Sequence, residues 1–95
     1  MRWPAEEDRA YAAEVGRRLR GWRVMRRLTQ QQTADLAGVD RIAVIAAERG
    51  ALALDLTRLR RLAWAVGAPL PELVDEDRVL PRAASSDSRP APRRR

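Results

Sequence analysis

The sequence contains no cysteine and no histidine. Without cysteine there is no disulfide framework and no thiolate metal site. Without histidine the commonest general base and the commonest metal ligand are missing too. No Gly-rich phosphate loop is present. The carboxylates Asp75, Glu76 and Asp77 are contiguous, so they read as solvated charge at a helix end rather than a converging acid pair. No enzymatic role, no cofactor and no metal are therefore expected. No apolar run approaches the roughly 20 residues that a membrane span needs. The opening Met1-Arg2-Trp3-Pro4-Ala5-Glu6-Glu7-Asp8 is acidic and lacks the apolar core of a signal peptide. A soluble cytoplasmic protein is the expectation.

Lysine is absent as well: all 19 basic residues are arginine, and the net charge is +6. Arginine presents a planar donor fork that suits phosphate, which fits a polyanionic partner. The plainer reading is compositional, because a GC-rich genome encodes Ala and Arg in place of Lys whatever the function. The distribution of charge is informative. Residues 1–14 carry a net −2, residues 15–74 a net +6 and residues 75–95 a net +2. The excess sits in the part expected to fold.

At 95 residues the chain is long enough for one domain. Pro4 suits a helix's first turn, and Glu6, Glu7 and Asp8 favour the positive end of its dipole. Tyr11, Val15, Leu19 and Trp22 then recur at helical spacing. This predicts a first helix from about Pro4 to Arg26, weakened or kinked at Gly16 and Gly21. Thr29 with Gln32 makes a capping box for a second helix, Gln30 to Ala37, in which Ala34, Leu36 and Ala37 are available for burial. Gly38 stops it. Asp40 caps a third, Arg41 to Arg49, which Gly50 ends. Asp55 caps a fourth, with Leu56, Leu59, Leu62, Ala63 and Val66 on its apolar face and Gly67 as its stop. A short last helix begins at Pro71. From about residue 76 the composition turns to Arg, Pro and Ser with little to bury, as in a disordered tail. The expected division is therefore 1–14 as an extension of helix 1, 15–75 as the folded domain and 76–95 as a flexible tail.

Two short helices joined by a Gly-containing turn form a helix-turn-helix. Residues Leu28 to Val39 fit that pattern, with Ala34 at the close crossing and Val39 and Val44 plugging the joint. Here the chain resembles the Cro/XRE (lambda-repressor-like) helix-turn-helix family. The resemblance runs from Val15 to Val74. It rests on Val15-Gly16-Arg17-Arg18-Leu19-Arg20, Leu28-Thr29-Gln30, Ala34, Ala37-Gly38-Val39, Glu48-Arg49-Gly50, Leu59, Leu62-Ala63, Ala65-Val66-Gly67, Leu70 and Glu72-Leu73.

The resemblance implies an all-α, compact five-helix bundle that binds duplex DNA, commonly as a homodimer. It implies that helix 3 enters the major groove by its N-terminal end. Thr29 and Gln30, Asp40, Arg41, Ile42, Ala43, Ile45 and Ala46, and Arg49 fall at the positions that face DNA. Arg23 and Glu48 match a partly buried ion pair between helices 1 and 3.

The sequence departs from the family on the recognition face. Ile42, Ala43, Ile45 and Ala46 stand where polar residues are usual, which leaves Arg41 as the one side chain able to make a bidentate contact, best with guanine. Asp40 repels phosphate unless its charge serves as a cap. Thr33 stands where the family has a buried leucine. Phosphate contacts from Arg17, Arg18, Arg20, Arg26, Arg27, Arg49, Arg58, Arg60 and Arg61 are one way to bind DNA with such a helix. Alternatively, Ile42, Ile45, Leu52 and Leu54 form an exposed apolar patch, and the domain is a protein-interaction module of adaptor or antitoxin type. The arginines from Arg17 to Arg27 have no acid among them. Their repulsion suggests an external partner, although a solvated helix face is the usual fate of such charge. Arg93-Arg94-Arg95 adds nonspecific DNA affinity or is an inert end. Trp22 is expected in the core, Trp3 as a staple or a self-association contact, and Trp64 in the core or at an interface.

Overall fold

Three side chains start three helices. The Thr29 hydroxyl accepts the Gln32 amide at 2.9 Å while the Gln32 side chain accepts the Thr29 amide at 2.8 Å. Asp40 accepts from the Ala43 amide at 2.9 Å, and Asp55 from the Arg58 amide at 2.7 Å. Each cap satisfies a backbone donor that has no partner inside its own helix. The computed structural model describes residues 1–51 and 55–76. In chain order the helices are α1 Glu6–Met25, α2 Gln30–Ala37, α3 Arg41–Glu48, α4 Leu56–Val66 and α5 Leu70–Val74. No strand occurs among the described residues. The all-α five-helix bundle expected from the sequence is the fold.

Boundaries moved by one or two residues. α1 begins at Glu6 rather than Pro4, although Pro4 still accepts the Glu7 amide. α3 ends at Glu48, with Arg49 as its C-cap. Pro69 is the N-cap of α5, so Pro71 is its second residue. The tail expected over 76–95 falls, beyond Glu76, outside the described residues, as do Leu52 and Leu54.

The core joins all five helices. Val15 and Leu19 of α1 meet Ala34 and Ala37 of α2, Val44 and Ala47 of α3, Leu62, Ala63 and Val66 of α4, and Leu73 of α5. Leu19, Leu62 and Leu73 are fully buried, each contributing about 1.5–3 kcal/mol from the apolar surface removed from water. α1 packs on α3, α4 and α5, and α2 packs on α3 and α4. Val39 and Trp22 are partly buried against this core. Leu36 and Leu56 correct the sequence reading: they are 50% and 71% exposed. Leu36 faces away from the α2–α3 crossing that takes Ala34, and Leu56, the first residue of α4, is left uncovered.

Gly16 does not kink α1. A Cβ at this position would lie 2.5 Å from the Ala47 carbonyl oxygen and 2.6 Å from that of Glu48. The glycine therefore sets the close approach of α1 to the end of α3. Gly21 faces open space. α1 ends through Arg27, the one non-glycine residue with positive φ (60°) among the described residues. The following Leu28 amide bonds back to the Arg23 carbonyl at 3.2 Å, a helix stop that glycine usually makes.

Candidate nucleic-acid interface

The expected DNA-facing residues gather where the N-terminal ends of α2 and α3 meet the second half of α1. Asp40, Arg41 and Ile42 are exposed at the start of α3, and Ala43, Ile45 and Ala46 are half-buried. The Asp40 carboxylate is engaged as the α3 cap, which keeps its charge against the positive helix end. Thr29 is exposed at the start of α2, its hydroxyl oxygen engaged in the capping box.

Behind the start of α3 lies a cleft of about 350 Å³ lined by Arg20, Gln30, Arg41, Ile45, Glu48 and Arg49. Three guanidiniums thus surround one depression. The acid in the cleft is already committed. Glu48 Oε2 lies 2.5 Å from Arg23 Nε, and Glu48 Oε1 accepts from Arg23 Nη2 at 3.1 Å. The two side chains are only 12% and 4% exposed. Gln30 Nε2 donates to the same Glu48 Oε1 at 3.2 Å, and Arg23 Nη1 donates to the Leu28 carbonyl at 2.8 Å. This network ties α1, α2, α3 and the α1–α2 turn together. It orients the Gln30 amide from behind, and it spends the negative charge of Glu48 internally.

The arginines from Arg17 to Arg27 divide into two sets. Arg17 pairs with Glu14, Arg18 with Glu72 and Arg23 with Glu48. Arg26 donates to the Gly67 carbonyl at 3.1 Å and lies over the Trp22 ring, 5.8 Å from its centroid. The chain itself thus offsets much of the repulsion expected along this helix. Arg20 and Arg27 have no carboxylate partner among the described residues, and neither do Arg41 and Arg49. In the sequence Arg20 is one phosphate-contact arginine among many. Its spacing carried the signal: it precedes Arg23 by three, so it emerges beside the residue that holds Glu48.

The chain is similar to the restriction-modification controller protein C.AhdI from Aeromonas hydrophila, whose crystal structure superposes with a TM-score of 0.61 at 35% identity. The match covers 65% of this chain and 94% of that one. The chain belongs to the Cro/XRE helix-turn-helix family. No protein-family model matches the sequence, and no curated protein matches it. Among the described residues no helix is long and apolar enough to cross a membrane, and no group of His, Cys, Asp or Glu could hold a metal ion.

Proposed function

We propose that this family member is a cytoplasmic transcriptional regulator that binds duplex DNA as a homodimer, with α3 in the major groove and no catalytic role. The observation that carries the reading is the convergence of Arg20, Arg41 and Arg49 with Gln30 on one cleft whose acid is engaged elsewhere. A phosphate backbone would meet donors there without an opposing free carboxylate. Likeness to a restriction-modification controller protein supports the regulatory assignment. Arg41, exposed in the first turn of α3, is the base reader in this scheme, and guanine is its best-matched base. Two such helices related by a two-fold axis read half-sites about 34 Å apart.

Selection from random duplex DNA at two salt concentrations tests the proposal. An enriched motif that weakens on Arg41→Ala is the expected outcome. Arg20→Ala and Arg49→Ala should weaken all sequences about equally and each reduce the salt slope by about one. Absence of binding at physiological salt would sink the proposal. Ile42, 74% exposed beside Arg41, favours a second reading in which α3 docks on a protein as an adaptor or antitoxin-like module. Loss of a protein complex on replacing Ile42 and Ile45 with Ser, with DNA binding never detected, would select that reading.

A further inference from the structure

A second surface lies away from the α3 cleft. Leu36, Ala37, Thr57, Arg60, Arg61 and Trp64 line a groove of about 470 Å³ between α2 and α4. Leu36 and Trp64 are 50% and 70% exposed in it. Arg60 and Arg61 precede Trp64 by four and three residues, so the guanidiniums and the indole share one helix face. Neither arginine has a carboxylate partner among the described residues. An aromatic floor with a cationic rim calls for an occupant that is aromatic and anionic.

The chain carries such a segment at its other end. Trp3 is 69% exposed, and its indole N–H donates to the Asp8 carboxylate at 3.1 and 3.2 Å. The ring and the acid are thereby held together, with Glu6 and Glu7 exposed in the same first turn. Residues 1–14 carry the net −2 that opposes the +6 of residues 15–74. We infer that the α2–α4 groove of one copy receives residues 1–8 of a second copy. Trp3 seats against Trp64 and Leu36, and Glu6, Glu7 and Asp8 face Arg60 and Arg61. The inference rests on the pairing included in the proposed function, and names the contact that makes it. Exchanged reciprocally, the two contacts are related by a two-fold axis, and the groove shares no lining residue with the α3 cleft.

Sedimentation equilibrium of the full chain tests this, with helical circular dichroism confirming that each variant is folded. Trp3→Ala and Trp64→Ala should each weaken dimerisation by about tenfold, as central aromatic anchors do. Reversing Glu6 and Glu7 to Arg, or Arg60 and Arg61 to Glu, should weaken it similarly. Combining the two reversals should restore association, a rescue that a merely structural role would not give. A dimer indifferent to Trp3→Ala and to reversal at Glu6 and Glu7 overturns the inference and leaves the pairing standing. A wild-type chain that stays monomeric at every concentration overturns both. If reversal at Arg60 and Arg61 lowers DNA affinity but leaves association unchanged, the groove binds phosphate and the inference fails.

Discussion

The Arg23 guanidinium bridges the Glu48 carboxylate across the bundle, Nε 2.5 Å from one oxygen and Nη2 3.1 Å from the other. Removing one partner leaves the other charged and almost without water. Glu48→Ala should therefore cost about 3 kcal/mol or more in urea denaturation. It also releases the Gln30 amide. The double replacement Arg23→Met with Glu48→Leu should be more stable than either single change, because no buried charge is then left alone. Equal or larger loss in the double variant would show that the pair contributes mainly through its backbone and Gln30 bonds.

Two glycines on one helix should respond in opposite directions. Gly16→Ala drives a methyl group into the backbone oxygens of Ala47 and Glu48. Backbone cannot step aside as a flexible side chain does, so a loss of about 3 kcal/mol is expected. Gly21→Ala meets nothing within 4 Å and should raise stability by about 0.5–1 kcal/mol through helix propensity. Thermal denaturation of the two variants decides the matter.

That contrast marks what a sequence discloses. Gly16 and Gly21 look alike in it, and both count as weak points of a helix. Only the third dimension shows that α3 ends against one of them. The caps Thr29, Asp40 and Asp55 and the stops Gly38 and Gly67 were legible because they act on neighbouring residues. Helical period placed Leu19, Leu62 and Val66 in the core. It failed for Leu36 and Leu56, where period names a face but not whether another helix covers it. The charge cluster on α1 misled for a related reason. The partners of Arg18, Arg23 and Arg26 are 54, 25 and 41 residues away in the chain, and no local pattern announces them.

Thr33 fills the leucine position of the family with a hydroxyl that is fully buried and has no hydrogen-bond partner among the described residues. Valine has nearly the same shape without the stranded oxygen. Thr33→Val should raise stability by about 1 kcal/mol, or about 4–8 °C in Tm for a domain of this size. An unchanged or lower Tm would mean that the hydroxyl is satisfied in solution.

Arg27 holds a left-handed conformation at φ 60°, which costs a residue with a Cβ about 1 kcal/mol. Arg27→Gly should remove that cost and raise Tm. The same change removes an arginine that has no carboxylate partner among the described residues, so the proposed DNA affinity should fall while stability rises. Titration against duplex DNA beside a melting curve separates the two effects.

Tyr11 fastens the last helix to the first: its hydroxyl donates to the Val74 carbonyl. Burial, followed by the nearby charges of Glu76 and Asp75, raises its pKa above the usual phenol value. The folded state therefore favours the protonated phenol. This contribution is fully present below about pH 10, the unfolded value, and is lost as pH rises through the higher folded value. Ionisation would remove the donor and set a phenolate against a carbonyl and two carboxylates. Tyr11→Phe should cost about 1 kcal/mol at neutral pH. The variant should also lose this part of the alkaline fall in stability, so the gap between the two proteins narrows above pH 10. No gap at neutral pH would show that Tyr11 contributes by packing alone, and a gap that stays constant above pH 10 would show that ionisation of its hydroxyl does not drive the alkaline loss.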